Sequence, residues 1–482
     1  MAKAFAAVGC LLAAVMCTKE NLPAAAGTIV VDDQKQLFID DLFLKQPNQV
    51  TLRMHPALKT GERTLEPDQP WENASLNWFS VMRHDGKFRM WYECYDVEGW
   101  PTTNDTSFCY AESADGRRWV KPNLDRFSYH GSRSNNILFR EIGPPGAHSR
   151  VHGAGVFVDP TAPATARYKC VSQGMFSQSA PPYRVAGMSS PDGLRWTRLP
   201  NVICDLFADS QYSAFWDVAR DAYVLYGRVS GRGRAIGRAQ SRDWTHFEPL
   251  QLVLENEGDR DLYNPAAVKL PGAANIYLMF PSEYDHKADT LEIQLAVSRD
   301  GIHWNFPDRA TPFIGLGQTG QFDSGSLYLG QGLVPVGDEL WHYYSGSPLK
   351  HQEAELEWLT KPANHRVYSR AKIRLDGYVS VAAGDREGSF VTPPLQFKGN
   401  ALALNVAVRP GGWVRVGLLN EAGRPVPGLA PADCVPITGD HIRHVVVWKT
   451  KSKVSSLAER PVSLSFQMTK ADLFAFQFME SN

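Results

Sequence analysis

Val297-Ser-Arg-Asp300-Gly-Ile-His-Trp304 has two companions built to the same plan, Glu112-Ser-Ala-Asp115-Gly-Arg-Arg-Trp119 and Ser189-Ser-Pro-Asp192-Gly-Leu-Arg-Trp196. All three read S-x-D-G-x-x-W, and Gln240-Ser-Arg-Asp243-Trp-Thr-His-Phe247 is a contracted fourth copy. Repetition of a supersecondary unit at intervals of roughly fifty to eighty residues marks a propeller or solenoid. The aspartates satisfy local backbone donors and the glycines accept positive φ, so Asp115, Asp192, Asp243 and Asp300 read as turn residues. The closing Trp or Phe is expected to pack between neighbouring sheets.

Each copy follows an aromatic, β-branched run with strand composition: Lys87–Tyr95, Tyr223–Arg228 and Ile276–Phe280, with Leu340–Tyr344 as a further run of the same kind. The unit is therefore all β. Counting outward predicts five blades, over about 71–121, 151–198, 212–249, 263–305 and 322–371. The strand-like Gln34–Leu44 segment is expected to close the ring on a terminal blade, because closure removes exposed edges. After about Asp376, closely spaced apolar runs such as Ala401–Val408, Trp413–Leu418, Val462–Phe466 and Leu473–Phe478, with Gly411-Gly412 as a hairpin turn, predict a β-sandwich. The expected organisation is an export signal over 1–26, a five-bladed β-propeller over 27–372 and a C-terminal β-sandwich over 373–482.

Composition sets bounds. With 482 residues, 43% hydrophobic residues and 13 Trp, the chain can bury a large core. Its 50 basic and 51 acidic residues form no basic stripe, which gives no electrostatic basis for nucleic acid or an anionic membrane as partner. Lys3, the apolar Ala4–Cys17 run and Ala24-Ala-Ala26 before Gly27 read as a cleavable export signal, which places the mature chain in the periplasm or outside the cell. Lipid attachment at Cys17 or Cys10 fits less well, because Ala-Val-Met precedes Cys17. No later run is long enough to span a bilayer. Five Cys remain after that segment, so at least one stays unpaired, and Cys94 and Cys109 fall on adjacent strands where they either pair or pack as small hydrophobes.

In a propeller, the start of each inner strand and the end of the next strand emerge on one face. That face collects Glu72 and Glu93 from the first blade, Arg150 and His152 from the second, and Asp209 and Arg228 from the third. The fourth adds Asp261, Tyr263, Asn264, Glu283 and His286, and the fifth adds Asp323. Carboxylates gathered there are expected to repel, raising the pKa of at least one, as a general acid beside an ionised partner requires. Asp209, Asp261, Asp323, Glu72 and Glu93 are thus the candidate catalytic acids; Arg150, His152, Arg228, Tyr263, Asn264, Glu283 and His286 are candidate substrate contacts. Glycoside hydrolysis is the reaction that uses such a carboxylate pair.

The repeated turns, the sandwich and the export signal together resemble the furanosidase superfamily of glycoside hydrolases, invertase-like and arabinanase-like. The Phe38-Ile-Asp-Asp41 segment resembles the opening of exported glycosyl-hydrolase-like proteins of environmental bacteria. The resemblance implies an oligo- or polysaccharide substrate and no cofactor. Glu93-Cys94 matches the invertase-like E-C pair in letters but lies on the first blade, and the arabinanase-like triad maps by position onto Glu72, the His152 region and Asp209. Two other readings stay open, a noncatalytic carbohydrate-binding propeller and a channel whose Glu72, His152, Asp209, Asp261 and Asp323 hold Ca²⁺.

Overall fold

The computed structural model describes residues 27–98, 106–140, 151–176, 183–273, 275–353, 366–450 and 453–481. The expected export segment and Arg150 lie outside the described residues. Regular structure is almost wholly strand, in a propeller arrangement. The first blade is the sheet Ser75–His84, Lys87–Tyr95, Ser107–Ser113, Ile137–Phe139, paired antiparallel in chain order. The second is His152–Val158, Tyr168–Met175, Tyr183–Ser190, Thr197–Cys204, and the third Ser213–Asp217, Ala222–Gly231, Gly233–Ser241, Gln251–Leu254.

A fourth four-stranded unit closes the ring: Ser326–Leu329, Glu339–Ser347, Val367–Arg374 and, from the other end of the chain, Leu58–Leu65. The closing strand is thus not the expected Gln34–Leu44 segment. Between the third blade and this one lies a smaller sheet of three short strands, Val268–Lys269, Tyr277–Met279 and Ala296–Ser298. Pro281 cannot donate to a ladder, so Tyr277–Met279 ends there and Ser282–Asp285 pairs instead with Thr290–Ile293 in a hairpin beside the closing blade.

The repeated turns work as their chemistry requires. Ser298 Oγ accepts from the amides of Asp300 (3.2 Å) and Gly301 (2.8 Å), while Asp300 Oδ1 accepts from Ile302 and His303 (2.8 Å each). Ser113 with Asp115 and Ser190 with Asp192 repeat the pattern. In all three the glycine has positive φ, and its carbonyl accepts from an aromatic side chain of the neighbouring sheet: Tyr343 Oη to Gly116 (2.8 Å), Trp91 Nε1 to Gly193 (2.6 Å) and Tyr226 Oη to Gly301 (2.7 Å). The closing rings pack across the same seams, Trp119 on Tyr343, Trp196 on Phe108 and Trp304 on Tyr226. Phe247 and Trp304 are buried, whereas Trp119 and Trp196 are half-buried.

At the C-terminal end, one eight-stranded sheet joins both ends of the chain. Val379–Ala383, Gly388–Val391, Ala401–Leu419, Asp440–Val445 and Ser463–Met479 pair with one another and with the N-terminal strands Gln36–Leu37, Lys45–Asn48 and Val50–Met54. Ala401–Leu419 runs unbroken against Ser463–Met479, with a register shift between Val408 and Trp413. Gly411-Gly412 therefore sits in a bulge inside one strand and does not turn a hairpin, because the apolar runs on either side face the same partner. Phe38 lies at the centre of this core, edge-on to Phe43, Phe390 and Phe466. Two residues on, Asp40 grips Arg299 of the Asp300 turn through both carboxylate oxygens (2.7 and 2.8 Å). The F-I-D-D segment is thus a clasp between the C-terminal sheet and the propeller.

The five cysteines among the described residues are free thiols and buried; Cys94 and Cys109 stand 3.7 Å apart, sulfur to sulfur, without a disulfide.

Candidate functional site at the channel mouth

Inner strands of neighbouring blades are held edge to edge. Gln211 Nε2 donates to Phe79 O (2.7 Å) and Ala154 O (2.9 Å), Val81 N to Gln331 O (2.8 Å), Tyr212 N to Gly153 O (2.9 Å) and Asn264 Nδ2 to Leu329 O (3.0 Å). These bonds hold in place the strand ends from which the functional side chains project.

His152 opens the inner strand of the second blade. Its Nδ1 is 2.9 Å from Glu93 Oε1, and its Nε2 is 2.8 Å from Asp209 Oδ1. Glu93 is fully buried and further held by Asn77 Nδ2 (2.8 Å) and the Gly153 amide (2.8 Å), whereas the Asp209 side chain is 61% exposed. The imidazole thus stands between the buried acid, with which it shares a hydrogen bond, and the exposed one.

Asp261 anchors a second group. Its carboxylate accepts from the Arg234 amide (2.9 Å), the Arg234 guanidinium (2.5 Å) and His286 Nε2 (3.1 Å). Gly233 makes this approach possible: its φ is +98°, and a Cβ there would fall 2.3 Å from Asp261 Oδ1. Burial alone would raise the pKa of Asp261, but the hydrogen bonds and charge of Arg234, with His286, outweigh it and hold the carboxyl below its ordinary value. The crowding expected to raise a pKa is answered here by cations.

Around these acids runs an aromatic wall. Tyr263 Oη is 2.6 Å from His351 Nε2, and His351 Nδ1 is 3.1 Å from Tyr328 Oη. Tyr284 packs on Tyr263, His286 and His351, and Trp78 packs edge-on to Tyr328 at 5.0 Å. Burial, then the charge of Arg366, pulls the His351 pKa down to about 4, so the ring is neutral at pH 7. Arg366 covers the Tyr328 ring at 4.8 Å, and Arg228 and Arg234 both lie against Tyr263, at 5.3 and 4.8 Å.

Of the residues singled out in the sequence, the structure joins Glu93, His152 and Asp209 in one group and Asp261 and His286, with Tyr263 close by, in another, with Arg228 attracted by Asp209 and set against the Tyr263 ring. The others make their contacts elsewhere. Glu72 accepts from Lys121 Nζ (2.7 Å) and Tyr92 Oη (2.6 Å), and Asp323 accepts from Lys59 Nζ (2.9 Å) and Tyr344 Oη (2.9 Å). Glu283 is tied to Arg260 (2.7 Å) and Arg309 (2.5 Å), because strand alternation puts it on the face opposite Tyr284, and Asn264 is spent on the Leu329 carbonyl. Sequence reasoning missed Trp78, Arg234, Tyr284, Tyr328, His351 and Arg366. Only Tyr284 had a local signal, the period of two that puts it on the side of His286. Among the described residues no group of three or more His, Cys, Asp or Glu is placed to hold a metal ion.

No protein-family model matches this sequence, and no curated protein matches it. Among solved structures the chain is similar to a glycosyl hydrolase from Bacteroides ovatus, at 13% identity over 69% of this chain and 97% of that one, with a TM-score of 0.46. It is similar also to a structure from the GH130 family of mannoside phosphorylases, at 13% identity over 67% and 94% with a TM-score of 0.44. A thermostable family-43 glycoside hydrolase matches at 13% identity over 64% and 93%, with a TM-score of 0.42. Likeness of this size carries no argument about the site.

Proposed function

We propose that this chain is an exported glycoside hydrolase working at the channel mouth, with the three-stranded sheet serving as a fifth blade and the C-terminal sheet folding as a sandwich-like support. The observation that carries the reading is two unlike carboxylates, exposed Asp209 beside His152 and Asp261 held by Arg234, on either side of a cluster in which Arg228 and Arg234 share the Tyr263 ring. Asp261, held ionised by Arg234, takes the proton of an attacking water or attacks the anomeric carbon itself. Asp209 supplies a proton to the departing glycosidic oxygen, with His152, itself backed by Glu93, beside it. The bond between the anomeric carbon and that oxygen breaks, water contributes OH to the sugar, and its proton restores the acid. Tyr263, Tyr284 and Trp78 are buried against one another, so they shape the wall beside the two carboxylates without presenting open ring faces.

The test screens plant and algal oligosaccharides with the native protein and with Asp209→Asn and Asp261→Asn, following binding by calorimetry and reducing-end release. Each substitution keeps shape, so affinity persists while release falls by about 10² to 10⁴-fold, the usual worth of a positioned proton donor or acceptor. Binding without release by the native protein would make this a carbohydrate-binding propeller. Release unchanged in both variants would remove the pair from the mechanism.

A further inference from the structure

Arg228 ends the central part of the long second strand of the third blade, and its guanidinium is turned toward the channel cluster. Burial, the largest influence, pulls its pKa below the ordinary arginine value. Yet among the described residues it has no hydrogen bond and no ion pair; its contact is the Tyr263 ring, 5.3 Å away. Arg228 keeps part of its surface exposed, and a half-buried guanidinium without a counter-ion is open to an anionic ligand.

The same ring carries a second guanidinium, Arg234, at 4.8 Å, and the two cations disfavour one another. Only Arg234 is compensated, by Asp261. Asp209 attracts Arg228 from beyond ion-pair distance but is itself engaged with His152. Arg228 is therefore a guanidinium with no direct counter-ion among the described residues, placed beside the tyrosine wall and within the reach of the Asp209 charge. Arginine's planar fork matches a carboxylate or sulfate bidentately, which a sugar hydroxyl does not.

We infer that the channel mouth selects an acidic glycan, with Arg228 seating a carboxylate or sulfate ester of the bound sugar. The inference rests on the glycan reading above and narrows its substrate class. Arg228 is a specificity-determining residue, and Asp209 and Asp261 remain the acid and base.

The experiment measures calorimetric affinities of the native protein for trigalacturonate and its carboxyl-reduced counterpart, and for a sulfated galactan tetrasaccharide and its desulfated counterpart. At low salt the native protein should prefer one acidic member over its neutral twin by ten-fold or more, with the preference falling as salt rises. Whichever pair shows the preference identifies the anion. Arg228→Gln should abolish it by weakening the acidic ligand alone, and Arg228→Lys should retain part of it; an unchanged near-ultraviolet spectrum verifies folding, and the lysine variant answers for a glutamine variant that misfolds. Equal native affinity within both pairs, or a preference that survives Arg228→Gln, overturns the inference and leaves the glycan reading standing. No binding of any of the four, with no hit in the wider oligosaccharide screen, would sink the glycan reading itself.

Discussion

Gly301→Ala tests whether the repeated turn is an inter-blade joint or a local turn only. Gly301 has φ of +71°, and a Cβ there would lie 2.8 Å from Tyr226 Oη. Tyr226 is fully buried and donates to the Gly301 carbonyl at 2.7 Å. The left-handed backbone costs alanine about 1 to 2 kcal/mol. Displacing a buried hydroxyl from its acceptor adds about 1 to 3 kcal/mol. Gly86 is the internal reference, since its φ is +76° and nothing lies within 4 Å of the position of its Cβ. Gly86→Ala should therefore lose only about 1 to 2 kcal/mol, the backbone share. Urea unfolding followed by tryptophan fluorescence reads the difference as a shift in midpoint at constant slope. In a double-mutant cycle, Tyr226→Phe should be costly alone and nearly silent in the Gly301→Ala background. Equal losses at Gly301 and Gly86, or additivity with Tyr226→Phe, would refute the joint.

Arg234→Gln removes the guanidinium that keeps the folded-state pKa of Asp261 low. A depressed carboxyl contributes stability above its unfolded pKa and loses it as pH falls through the folded one, so the variant should bring both the loss of stability and the acid limb of turnover to higher pH. Carbon-detected titration of Asp261 and a pH–rate profile check this; an unmoved limb with a moved pKa would show that Asp261 is not the ionised catalytic group. Asp40→Ala breaks the two-pronged pair with Arg299 and the bond from the Leu42 amide, which at partly exposed positions together contribute about 1 to 2 kcal/mol. Amide exchange should quicken at Asp41–Leu44 and around the Asp300 turn together, and quickening at only one of them would mean that no clasp exists.

The turns were legible because they are made within themselves: Ser298 and Asp300 bond to amides no more than three positions away, so residue types alone specify the shape. The same locality made the strands legible, through alternation and aromatic content, and drew attention to Glu93, His152, Asp209 and Asp261, though the same rule also pointed to Glu72, Glu283 and Asp323. Ring closure had no such mark. Leu58–Leu65 pairs with Val367–Arg374, and the Glu62–Arg370 ion pair that fastens it spans 308 positions. Nor does a carboxylate's role show in its letter. Asp261 and Asp323 read alike in the sequence, as acids ahead of inner strands, but one meets Arg234 and His286 and the other Lys59 and Tyr344. Local hydrogen bonding and side-chain period determined the β units and their repeat. Which charges met, and which were left without a counter-ion, depended on desolvation and Coulomb energy between groups far apart in the chain, and those exist only once the blades have closed around the channel.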